Sequence, residues 1–151
     1  MEIDGFGGVD LKVIEKFQKN RGILLPEDYK NFLLKYNGGT PKIKYSTFRV
    51  KELSTNIILD CLYGLNVEKR QLDLEYINDE FGDEDLSEAI IIGDDPGSGF
   101  IVLLNYEKLK GIIYYLDDEF NFEQSTEENN MYKISDSIKE FIDSLEEPKE
   151  K

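Results

Sequence analysis

Between Pro26 and Gly39 the chain encodes a helix together with both of its ends. Tyr29, Phe32, Leu33 and Tyr36 recur at i, i+3, i+4 and i+7, which sets large apolar groups on one face. Pro26 suits the first helical position, where its missing N–H would have no partner anyway, and Glu27 and Asp28 complement the positive end of the helix dipole. Asn37-Gly38-Gly39 then supplies a left-handed residue that stops the helix. A helix this amphipathic is stable only against a second layer, so the remaining chain must provide one.

The segments on either side supply it. Asp10 precedes Leu11, Ile14 and Phe17, a short amphipathic helix ended by Asn20-Arg21-Gly22. After Pro41, the groups Tyr45, Phe48, Val50 and then Ile57 to Leu62 read as two strands. Leu74, Ile77 and Phe81 have helical spacing before the stop at Gly82, with Leu72 off that face. Ala89 to Gly93 and Phe100 to Leu104 flank Asp94-Asp95-Pro96-Gly97-Ser98-Gly99, which predicts antiparallel strands joined by a tight loop with Asp94 and Asp95 as exposed turn residues. Gly111 to Leu116 adds a further strand to this meander. Ile134, Ile138, Phe141, Ile142 and Leu145 mark a last helix with Ser135 as its N-cap, and residues 147–151 are expected to fray. The order predicts an α+β fold: a largely antiparallel central sheet with N-terminal helices and a C-terminal helix packed on it. One domain is expected over residues 1–151, with its core between residues 10 and 145.

Composition narrows the function classes. The 151 residues are 40% hydrophobic, with nine Phe and nine Tyr, which is enough for a packed core despite the high charge. Histidine is absent, which excludes Ser-His-Asp and Cys-His nucleophiles, His-ligated zinc and imidazole acid–base work. The single cysteine, Cys61, sits in an apolar run and reads as a buried thiol, in keeping with a reducing compartment. Met1 to Gly8 lacks the basic and apolar regions of a signal peptide and no window has the length of a membrane span, so a cytoplasmic protein without membrane attachment is expected.

The net charge of −14 is unevenly placed, because residues 73–95 carry ten acids and no base. Direct nucleic-acid binding needs clustered Lys and Arg and is not expected. The acids Asp79, Glu80, Asp83, Glu84, Asp85, Asp94 and Asp95 are instead candidates for contact with a basic protein partner, against the alternative that they serve solubility. Asp83-Glu84-Asp85 also reads as a solvated turn. No cofactor or metal is called for. Asp94 to Gly99 departs from the phosphate-loop pattern and lacks its Lys, and the calcium-like spacing from Asp117 to Glu128 has Phe122 where the sharp turn requires Gly.

The run Leu25-Pro26-Glu27-Asp28-Tyr29-Lys30-x-Phe32-Leu33-x-x-Tyr36-Asn37-Gly38-Gly39 resembles the signature helix of the SUKH superfamily, in its Smi/Knr branch. Ile90-Ile91-Ile92-Gly93-Asp94-Asp95-x-Gly97-Ser98-Gly99 resembles that family's central hairpin, although Phe100 stands where members often carry Asp or Asn. Ile112-Ile113-Tyr114-Tyr115 is similar to its next strand, and the stretch from Ile134 to Ile142 to its final helix. The residues themselves assign Leu25, Pro26, Tyr29, Phe32, Leu33, Asn37, Gly38 and Gly39 to structure, as core face and cap. The resemblance implies an immunity protein that binds and blocks the C-terminal toxin domain, often a nuclease, of a polymorphic or contact-dependent system. Some eukaryotic members are regulators or scaffolds, which is the alternative, and a carboxylate-dependent hydrolase comes third. If the chain is a binding protein, it turns over no generic phosphoester, ester or peptide substrate, with or without divalent metals. Turnover abolished by Asp94→Asn or Asp95→Asn alone would contradict this.

Overall fold

The computed structural model describes residues 1–82, 89–106 and 110–149. In chain order its elements are strand β1 (Ile3–Asp4), helices α1 (Leu11–Arg21) and α2 (Glu27–Lys35), strands β2 (Thr40–Pro41), β3 (Thr47–Val50), β4 (Thr55–Ile58) and β5 (Cys61–Leu62), helix α3 (Leu74–Phe81), strands β6 (Ala89–Asp94), β7 (Phe100–Leu104), β8 (Ile113–Leu116) and β9 (Met131–Ser135), and helix α4 (Ile138–Asp143). The central sheet is an antiparallel meander in the order β5-β6-β7-β8-β9, with β3 and β4 forming a separate hairpin and β1 pairing with β2. This is an α+β fold. The middle strands carry unbroken apolar runs because Ile90 to Ile92 and Ile101 to Leu104 are buried on both faces of the sheet. On one of those faces Phe48 of β3 packs against Tyr115 of β8 and Phe141 of α4, with ring centroids 5.9 and 5.4 Å apart.

The end of α2 joins the helical layer to the sheet. Asn37, Gly38 and Gly39 all have positive φ, at 54°, 81° and 130°. The Asn37 carboxamide is buried and grips the backbone of Leu65 in both directions: its Nδ2 donates to the Leu65 carbonyl and its Oδ1 accepts from the Leu65 N–H, each at 2.8 Å. A Cβ on Gly38 would stand 2.5 Å from the Tyr63 carbonyl oxygen, and one on Gly39 would collide with the backbone of Asp4. Gly39 in turn exchanges two backbone hydrogen bonds of 2.8 Å with Leu62 of β5. The Asn-Gly-Gly sequence thus ends the helix and also lets the emerging chain approach the sheet edge closely enough to pair with it.

A second carboxamide completes the same edge. Strand β5 is too short to cover β6, and Asn78 of α3 takes its place by accepting from the Ile91 N–H and donating to the Ile91 carbonyl, both at 2.9 Å. These are the bonds a neighbouring strand would make. Helix α3 is itself started by Asp73, whose carboxylate accepts from the N–H groups of Glu75 and Tyr76.

Several boundaries differ from the sequence expectation. Ile134 and Ser135 belong to β9, and the N-cap of α4 is Ser137, whose hydroxyl accepts from the Glu140 N–H. The β-branched and aromatic character of residues 131–135 is satisfied by pairing with β8, so the helix starts one turn later than its apolar spacing indicates. Pro26 is the N-cap of α2 rather than its first helical residue. The run from Ile57 to Leu62 divides at Leu59-Asp60 between two sheets, and the pairing of Ile3–Asp4 with Thr40–Pro41 had no sequence signal. Leu11 and Phe81, placed on inward helical faces by spacing, are exposed. Among the described residues no helix is long and apolar enough to cross a membrane.

Asn37→Ala leaves the Leu65 N–H and carbonyl buried without partners, at about 1–3 kcal/mol for each group. We expect a loss of about 2–4 kcal/mol in chemical denaturation. A loss below about 1 kcal/mol would show that water replaces the carboxamide and that the joint is not rigid.

Candidate partner-binding surface

The β6–β7 turn is organised by Asp95. Its Oδ1 accepts from the N–H groups of Gly97 (2.8 Å) and Gly99 (3.1 Å), and its Oδ2 accepts from the Tyr115 hydroxyl at 2.6 Å. Gly99 is required there because a Cβ would run into the Tyr115 phenol. The loop amides that a phosphate would need are therefore occupied by a carboxylate of the same loop. Asp117, first residue of the calcium-like run, is completely buried, with its two oxygens accepting from the N–H groups of Asn121 and Phe122 at 2.9 Å each. It caps a turn. Among the described residues no group of three or more Asp, Glu, Cys or His side chains is placed to hold a metal ion.

Asp94 differs from the exposed turn residue expected of it. It closes β6 opposite Cys61 and Phe100, is half-buried, and its Oδ2 accepts from the Tyr63 hydroxyl at 2.7 Å. Its Oδ1 is buried with no donor. Burial raises the Asp94 pKa to about 6; the Tyr63 hydrogen bond opposes this, and the charges of Asp60 and Asp95 add to it. Burial likewise raises the phenols of Tyr63 and Tyr115, and the adjacent carboxylates reinforce the effect, so both hydroxyls stay protonated donors. Burial pushes the Cys61 thiol up to about 12, which removes it as a nucleophile at neutral pH.

Asp79 and Glu80 lie on the last turn of α3 and Asp94 and Asp95 at the β6–β7 turn, while Asp83, Glu84 and Asp85 lie outside the described residues. The joining contact is aromatic. Phe81, last residue of α3, sets its ring 5.6 Å from that of Phe100, which opens β7 directly opposite Asp94. Asp79 meets Arg21 of α1 at 2.8 Å and Glu75 accepts from Asn20 at 3.3 Å, so part of the acidic segment is matched by the basic N-terminal half within the fold. Glu80 is exposed to solvent. Sequence reasoning missed Asp60, Tyr63 and Tyr115, which join this cluster only through strand register; period two puts Tyr63 on the face of Cys61, and only the pairing of Cys61 with Asp94 brings Asp94 to that face.

The SMI1 / KNR4 family (SUKH-1) profile matches residues 8–144. The chain belongs to this family. No curated protein matches the chain at a significant level. SUKH domains are immunity-type or Smi/Knr domains that bind protein partners and generally do not catalyse reactions. In this SUKH domain the glycine-rich hairpin and the Asn-Gly-Gly cap both have complete structural explanations in the hydrogen bonds given above.

The sign of the Asp94 effect follows from its neighbours. Its folded-state pKa of about 6 lies above the ordinary 3.8, so the native state holds the proton more tightly than the unfolded chain does. Ionising it in the native state costs nothing below pH 3.8, where both states are protonated, and the cost grows as pH rises to about 6. Asp94→Asn removes this dependence while keeping an acceptor for Tyr63. The stability of the variant relative to wild type is expected to rise between pH 4 and 6.5 and then level off, read from paired denaturation curves. A difference independent of pH would contradict the assignment.

Proposed function

We propose that this SUKH domain is an immunity-type binding protein that neutralises a cognate toxin domain produced beside it, and that its acidic segment faces a basic surface of that toxin. The observation that carries this reading is the concentration of ten acids and no base within residues 73–95, on a chain whose first 72 residues are slightly basic. Scattered acids would serve solubility equally well, whereas a same-sign cluster creates a field that steers a partner of opposite charge. Nuclease toxins are basic where they hold nucleic acid, so the same field that attracts such a domain also sets the inhibitor against its active site. Family membership supports a protein-binding role, and the turn chemistry of Asp95 and Asp117 supports binding over hydrolysis because those carboxylates are engaged by backbone amides.

Co-expression with the C-terminal toxin domain encoded beside the gene tests the reading directly: growth is rescued by the wild-type chain. Electrostatic steering predicts that Asp79→Asn with Glu80→Gln slows association and flattens its salt dependence, while Glu146→Gln with Glu147→Gln at the far end of the chain has a smaller effect. Thermal stability should change little, since Asp79 loses only a surface ion pair worth about 0–1 kcal/mol. Wild-type association rates and salt slopes in the double variant would reduce the acidic cluster to a solubility device.

A further inference from the structure

Phe81 lies seven residues after Leu74 on α3, at a spacing that should bury it, yet it is 53% exposed while Leu74 and Ile77 are inside. The helix ends at this point. Gly82 continues in an extended conformation (φ −73°, ψ 130°), and the Phe81 ring rests against Phe100 at the sheet end instead of entering the core. Phe100 is only half-buried, and strand register carries its row on to Leu116 and Met131, since directly opposed residues share a face. Asp94 opposes Phe100 across the β6–β7 ladder, and the exposed Glu80 precedes Phe81 on the last turn of α3. A lone exposed apolar side chain is ordinary. Two contacting rings at the edge of an acidic surface have a more specific chemistry, because the faces of the rings and the neighbouring carboxylates attract the same cation.

We propose that the Phe81–Phe100 ring pair is the apolar anchor of the partner interface, and that its occupant is an arginine side chain on a basic protein surface. This rests on the toxin-binding reading above and assigns its centre. An arginine fits better than a lysine because its planar guanidinium stacks on a ring while its edge donors reach a carboxylate. Glu80 and Asp94 form the rim. In such an arrangement the rim charges govern association and the desolvated aromatic centre governs dissociation.

The test uses the full chain and the C-terminal toxin domain encoded beside its gene. Phe81→Ser is expected to weaken binding by about 30-fold or more, mainly through faster dissociation, with an unchanged salt slope. Phe81→Leu, which keeps an apolar contact with Phe100 and removes the ring face, should retain the fold and lie between wild type and Phe81→Ser. Leu24→Ser, at the most exposed large apolar side chain described (69%), serves as a control that leaves binding unchanged. Blocking the toxin's arginines with phenylglyoxal should bring wild type to the level of Phe81→Ser, whereas dimethylating its lysines should preserve the difference between them. A wild-type dissociation rate in both Phe81 variants, or an arginine-blocked toxin that still distinguishes them from wild type, overturns the anchor while leaving toxin binding intact. A toxin domain that does not bind the wild-type chain overturns the toxin-binding reading and the anchor with it.

Discussion

The fold depends on a joint between helix and sheet in which a side-chain amide does the work of backbone. Asn37 is held at positive φ, a conformation that asparagine tolerates better than most residues, and from there its carboxamide reaches both polar groups of Leu65. The two glycines that follow let the chain pass beneath Tyr63 and beside Asp4, at separations that leave no space for a Cβ. The loss of this joint would release the end of α2, whose Tyr29, Phe32 and Leu33 are buried, from the sheet edge at β5. Asn78 repeats the device at Ile91, so the edge of β6 is closed first by a short strand and then by a side chain. An open edge of this kind is an aggregation hazard, and both carboxamides remove part of it.

That economy leaves the opposite requirement at the acidic end. Asp94 sits partly out of water with one oxygen satisfied by Tyr63 and the other by no donor. A carboxylate in that position destabilises the native state at neutral pH. Asp95 and Asp117, by contrast, are fully used as turn caps. That cost falls beside Phe100, which opposes Asp94 and meets the ring of Phe81. In the proposed complex a basic surface covers the rings and gives the carboxylate a counter-charge.

Where local chemistry decides structure, the sequence was readable. The signature helix, the β6–β7 hairpin and the antiparallel meander all follow from periodicity and turn residues, and the family resemblance rests on those same segments. Where two local signals competed, tertiary context chose between them: Ile134 and Ser135 fit a helix start by spacing and a strand by composition, and pairing with β8 settled it for β9. The two-residue strands β1 and β2 have no periodicity to detect and exist because Gly39 brings the chain to that edge. The acidic surface was legible as charge but not as geometry. Nothing in the order of residues shows that Asp94 faces Tyr63, that Asp95 is consumed by its own turn, or that Phe81 meets Phe100. Those follow from register and from where α3 stops.

The central claim is that this SUKH domain meets its partner through the end of the molecule where α3 and the β6–β7 hairpin converge. Hydrogen exchange with mass spectrometry, comparing the free chain with its complex with the adjacent toxin domain, examines that claim across the backbone at once. The account predicts slowed exchange in peptides that cover Ile77 to Phe81 and Asp94 to Phe100, with α2 and α4 unchanged. Protection concentrated instead on the groove between α2 and α4, lined by Phe32, Tyr36, Ile138 and Ile142, would contradict it.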